Sequence, residues 1–125
     1  MDAYLTKDVR QFLDALNLMD SKSDGFLIGH KRGHRLFVEK LLATHTNFFP
    51  SLEKVIALDN LFDKKIIGFF SFDPDEKKVK KILTPFAYGK LYLEIRTQGH
   101  KTLEIAPYII DHDETFVLKK IKLKN

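Results

Sequence analysis

The sequence predicts an α/β domain built on a mixed central β-sheet flanked by helices. Three observations predict it. Val9, Phe12, Leu13, Leu16 and Met19 recur at helical spacing, Lys65 to Phe72 is apolar on both alternating faces, and period-two alternation runs through the last third of the chain. With 125 residues, 44% of them hydrophobic and eleven of them Phe, the apolar volume suffices for one core, so a single domain over residues 1–125 is expected.

Thr6 is placed to cap the first helix, and Asp8 stands in its first turn, where a carboxylate complements the helix dipole. The polar cluster Asp20-Ser-Lys-Ser-Asp-Gly25 ends that helix. Gly25 to Gly29 and Arg35 to Thr44 then read as the arms of a hairpin with His30-Lys-Arg-Gly33 at its tip. Leu52, Val55, Ile56, Leu58, Leu61 and Phe62 fit a second helix, and Lys65 to Phe72 follows as the central strand. Asp73-Pro-Asp-Glu76 has an acid at the cap, Pro at the first helical position and Glu three residues after the cap, which predicts a short helix from Lys77 to Leu83. Lys90 to Thr97, Thr102 to Ile110 and a closing strand complete the sheet. In that closing strand Phe116 and Leu118 share one parity while Ile121 and Leu123 share the other, so a bulge near Lys119-Lys120 is expected. The alternation in Leu118-Lys-Lys-Ile-Lys-Leu-Lys-Asn125 reads as an edge strand guarded against aggregation by lysine.

The formal charge of +4, from 21 basic and 17 acidic side chains, favours solubility more than it argues for a polyanionic partner. No apolar run approaches the ~20 residues of a membrane-spanning helix, and the acids near Met1 do not fit a signal peptide, so a soluble cytoplasmic protein without membrane partners is expected. Without cysteine there is no disulfide framework and no thiolate chemistry, and any metal would need His, Asp or Glu.

Two local patterns carry a family resemblance. Gly25-Phe-Leu-Ile-Gly29 is similar to the early strand of MPN (JAMM) domains, commonly G-x-L-x-G, and Gly68-Phe-Phe-Ser-Phe-Asp-Pro74 is similar to their metal motif, commonly G-W-Y-H-S-H-P. Tyr88-Gly-Lys-Leu-Tyr-Leu-Glu94 falls where that family has its next strand, and the likeness spans roughly residues 5 to 120. The resemblance implies an MPN-like fold with cytidine-deaminase-like layering. In active members two histidines and a downstream aspartate hold Zn²⁺, with a glutamate on the early strand handling protons. Here Ser71 stands at the first histidine position, Asp73 at the second, Lys81 or Thr84 near the third ligand position and Lys22 at the glutamate position. One surviving carboxylate holds no zinc tightly, so no metal, no cofactor and no catalytic residue are expected.

Other candidates compete with plainer roles. Asp73 is also an N-cap in sequence terms, and His30 with His34 flank Lys31-Arg-Gly33, whose turn character removes the meaning of i, i+4 spacing. Asp111-His-Asp-Glu114 reads as a polar turn. Ser71 lacks a nucleophile elbow. Lys31, Arg32 and Arg35 form the densest basic patch and are the candidate anion-binding residues, with the lysines from Lys77 to Lys81 as a second patch. The absence of aromatics interleaved with these bases argues against nucleic acid.

The resemblance therefore implies a catalytically inactive MPN-like domain that binds a protein partner or a second copy of itself, through the first helix and the vacated pocket around Phe70, Ser71, Phe72 and Asp73. The alternatives are a noncanonical metal-dependent hydrolase and a basic domain that binds nucleic acid or another anion.

Overall fold

The computed structural model describes residues 1–18, 24–43, 57, 60, 66–98 and 102–124. Eight strands dominate them: β1 (Asp2–Leu5), β2 (Gly25–Arg32), β3 (Arg35–Ala43), β4 (Ile66–Phe72), β5 (Leu91–Gln98), β6 (Thr102–Asp113), β7 (Thr115–Lys120) and β8 (Lys122–Lys124). Helix α1 (Lys7–Leu18) follows β1, and α2 (Glu76–Ile82) with a 3-10 turn (Pro85–Ala87) links β4 to β5. Ala57 and Asn60 are helical, and the remainder of the helix expected over Leu52 to Phe62 lies outside the described residues.

The strands form one sheet in the order β7-β6-β5-β4-β2-β3-β1-β8. β7 pairs antiparallel with β6 at one edge, while β8 pairs parallel with β1 at the other. Only Ile121 separates β7 from β8, and its N–H donates to Pro107 O at 3.1 Å. One continuous C-terminal segment thus joins the two edges and leaves the sheet nearly closed, as a barrel.

This corrects the expected architecture. The chain is mostly β and barrel-like, and the helix-flanked α/β layering of an MPN-like or cytidine-deaminase-like domain does not describe it. The physical reason lies in β4. Its double apolar face is real, but strands of the same sheet cover one side. Phe70 and Phe72 pack with Leu27, Leu36, Val38, Leu91, Leu93 and Ile95 in the inner core, to which α1 adds Val9 and Leu13. On the outer side Phe69 packs with Phe26, Tyr92 and Ile110 beneath Ile82 of α2 and Ala87 of the 3-10 turn. Burying apolar surface on both faces releases ~25 cal/mol per Å² whichever element supplies the cover.

Two irregularities bend the sheet. Against β3 the pairing jumps from Gly29↔Val38 to Ile28↔Lys40, and against β4 from Leu27↔Gly68 to Ile28↔Ile66. Each leaves an extra residue, Glu39 and Ile67, and such bulges increase local twist and curvature. Close approach accompanies the bend at Gly68, where a Cβ would overlap the carbonyl oxygen of Leu91 on the neighbouring strand.

Local capping is as the sequence indicates at α1, where the Val9 N–H donates to Thr6 Oγ1 at 3.2 Å. At α2 it is not. The cap is Asp75, whose Oδ1 accepts the Lys78 N–H at 2.8 Å, and Glu76 opens the helix. Asp73 does not serve as the cap because its carboxylate accepts from Thr97 instead and its φ of 44° is left-handed, while its own N–H donates to Ile95 O at 2.8 Å and extends the β4–β5 pairing.

Gly68→Ala should lower the unfolding free energy by about 2 kcal/mol or more, because backbone on a central strand cannot yield as a side chain does. Urea unfolding should show a reduced midpoint at unchanged slope.

Candidate functional site

The Thr6 N–H donates to Val38 O, which sets α1 at the end of the barrel where β1 and β3 finish. The registers Gly25↔Ala43, Gly25↔Phe70 and Phe72↔Ile95 bring the start of β2 and the ends of β4 and β5 to that same end. This is where the metal-motif positions fall. Ser71 is buried on β4, opposite Glu94 of β5, and Asp24 is buried immediately before β2. Lys22 lies outside the described residues. Lys81 is an exposed residue of α2, so no acid occupies the third ligand position.

The acids at this end are engaged within the protein. Asp73 Oδ1 accepts the Thr97 N–H at 3.1 Å, and Oδ2 accepts the Thr97 hydroxyl at 2.7 Å. Asp24 Oδ2 is 2.5 Å from Lys78 Nζ, which α2 delivers over the sheet. Glu94 Oε1 accepts Arg96 Nε at 2.8 Å and faces Nη2 of the same guanidinium at 2.5 Å. Tyr92 is fully buried among these groups. Its hydroxyl lies beside Ser71 but makes no hydrogen bond of normal geometry among the described residues. Burial pushes the phenol up to about 12, helped by the negative charges of Glu94 and Asp24 and opposed by the Ser71 hydroxyl and Arg96. The cluster is therefore a locked polar layer. Phe70, Ser71 and Phe72 are buried too, which corrects their expected place on a contact surface.

The histidine candidates are not brought together as a metal would require. His30 Nδ1 contacts Glu39 Oε1 at 2.5 Å, and its ring stacks on Phe37 with centroids 4.9 Å apart. His34 sits in the turn between β2 and β3 beside Gly33, whose φ is 57°. His112 pairs edge-on with Phe116 across the β6–β7 hairpin. Among the described residues no three His, Asp or Glu side chains converge.

The opposite end of the barrel is different. A cleft of about 860 Å³ lies at the seam, lined by residues that include Lys31, Tyr88, Lys119, Lys120 and Lys122, with Asp2 and Asp111 as its acids. Four lysines thus share the lining with two acids. Among the described residues none of the four lysines forms an ion pair, and Asp111 accepts the His112 N–H at 2.8 Å. One wall is held by backbone: Gly89 N–H donates to Ile110 O at 2.7 Å, and Ile110 N–H donates to Lys90 O at 3.0 Å. Gly89 has a φ of 80°, which glycine adopts without steric cost.

Of the candidate anion-binding residues, Lys31 lines this cleft, whereas Arg32 and Arg35 face each other across the hairpin tip and do not. Lys119, Lys120, Lys122 and Tyr88 were not legible as site residues. The available signal was the lysine density after Leu118, which also fits a protected edge strand.

Among solved structures the chain is similar to protein DSY2949 from Desulfitobacterium hafniense, with a TM-score of 0.65 at 18% identity, over 98% of this chain and 93% of that one. It is also similar to a protein from Salinibacter ruber, with a TM-score of 0.61 at 13% identity, over 98% and 92% of the respective chains. At such identities the likeness is one of fold. No family model matches the chain, and no curated protein matches it in sequence.

Tyr92→Phe should leave stability at neutral pH unchanged or raise it by up to about 1 kcal/mol, since a buried hydroxyl without a partner is removed. The unfolded chain ionises this tyrosine near 10 and the folded chain only near 12, so the wild type should lose stability as pH rises through that window. The loss, on the order of 2 kcal/mol, should be absent from the variant when the two are compared by denaturant unfolding.

Proposed function

We propose that this chain is a non-catalytic binding domain that holds an anionic ligand in the basic cleft. The carrying observation is the meeting of four lysines, without carboxylate partners among the described residues, in a cavity of ligand size. Support also comes from the far end of the barrel, where the acids a hydrolase would use are held by Thr97, Lys78 and Arg96. An ammonium loses hydration on entering a concave site, and an anion that replaces the lost water relieves the mutual repulsion of the lysines. No helix among the described residues is long and apolar enough to cross a membrane.

Titration calorimetry with pyrophosphate at low salt tests the proposal. Binding should weaken steeply as salt rises, and Lys119→Gln with Lys120→Gln should reduce affinity at least about tenfold. Arg32→Ala with Arg35→Ala should change it by no more than about threefold, because those groups act only through screened, longer-range charge. Equal losses from both double variants would reject the cleft as the site.

A second reading, protein contact through α1, is favoured by the exposure of Phe12 (43%) and Leu18 (74%) on that helix. If a second copy of the chain is the partner, sedimentation should show self-association that Phe12→Ser with Leu18→Ser abolishes. A concentration-independent monomer would remove that reading.

A further inference from the structure

We infer that the cleft is shaped for a compact ligand combining a planar ring with a phosphate ester, as in a mononucleotide. This rests on the anion-binding reading and adds the chemistry of the ligand's uncharged part. The cleft is not uniformly ionic. Tyr88 stands at its edge with 57% of its surface exposed, unusual for a large aromatic that has an apolar core nearby. Its ring is braced edge-on by Phe116, with centroids 6.5 Å apart and planes at 67°. The two hydrogen bonds linking Gly89, Ile110 and Lys90 fix the turn that carries it. Ile109 and Ile121, half-buried, add apolar residues to the lining.

An inorganic anion would engage the ammonium groups and gain nothing from an exposed, held ring. A nucleic-acid strand would need a basic track continuing out of the cavity. The basic tip of the β2–β3 hairpin does not supply it, because Arg32 and Arg35 are not part of the lining. About 860 Å³ is instead of the size that encloses one small molecule. The ring of such a ligand stacks on Tyr88 while its phosphate meets Lys120 and Lys122, which share one face of the C-terminal segment, and Lys119 and Lys31 add charge from the rest of the lining. Stacking of a base on an aromatic side chain contributes a gain of roughly tenfold or more in affinity.

The experiment compares inorganic phosphate, adenosine 5′-monophosphate and a short oligothymidylate on the wild type, Tyr88→Ala and Tyr88→Phe by calorimetry at low salt. The nucleotide should bind about tenfold more tightly than phosphate, Tyr88→Ala should erase that difference without changing phosphate affinity, and Tyr88→Phe should restore it. Equal binding of phosphate and nucleotide, or an equal loss of both in Tyr88→Ala, would overturn the stacking inference and leave the anion site standing. Tightest binding by the oligothymidylate, growing with its length, would overturn the compact-ligand inference in favour of a strand. If none of the three binds, both the inference and the anion-binding reading fall.

Discussion

Closure of the sheet by the C-terminal segment is the constraint on which the rest of this structure depends. β6 and β1 would otherwise be edges with unpaired N–H and C=O groups, and the chain has few other elements to cover them. By pairing β7 with β6 and β8 with β1, ten residues satisfy both edges at once. The side-chain period of two runs through the segment unbroken: Leu118 belongs to the outer core beside Ile110 while Ile121 and Leu123, of the other parity, pack against the inner one, so the two apolar parities serve opposite faces and the bulge expected near Lys119-Lys120 is not required. At Ile121 the segment changes neighbours, not parity.

The same alternation decides where charge goes. Lys119 lies opposite Ile109 of the inner core and Lys120 opposite Tyr108 of the outer one, so these neighbours leave opposite faces of β7, and Lys122 lies opposite Asp2 at the start of β1. All three residues belong to the lining at the seam. A lysine-rich strand is commonly a defence against edge pairing. β7 and β8 end the strand order and are each paired on one side, so their lysines serve that defence and line the cleft as well.

What was legible in the sequence is local. Thr6 and the periodic apolar residues mark α1, the Gly33 turn marks the first hairpin, and the doubly apolar run marks β4, because each signal acts within a few residues. What covers β4 was not legible: an apolar face records that water is excluded, and an opposing strand excludes it as well as a helix does. β1 was missed although Ala3 and Leu5 face the core and Asp2 and Tyr4 do not, since four residues give too short a sample of the alternation. The Asp73 cap failed for a longer-range reason. Asp73 is drawn into β-pairing by Ile95 and Thr97, more than twenty positions away, and Asp75 then captures the free Lys78 N–H. The cleft was illegible for the same cause, as its walls come from β1, β2, the turn before β5, and β6 to β8.

The two ends of the barrel show opposite uses of polar groups. At the α1 end the acids are held by partners within the protein, and the burial of Tyr92 pushes its phenol up to about 12. The Asp24–Lys78 pair ties the start of β2 to α2, and separating them weakens the compensation of a buried carboxylate, while Asp73 ties the end of β4 to Thr97 of β5. At the seam end, four lysines share the lining with two acids and form no ion pair among the described residues, an excess of like charge that opposes folding through repulsion. A chain tolerates that cost only where the rest of the structure holds the lysines in place, and the backbone pairing on both sides of Ile121 does so without using a side chain. The ammonium groups consequently remain free to meet a ligand, and the rigidity they need for it comes from the closure itself.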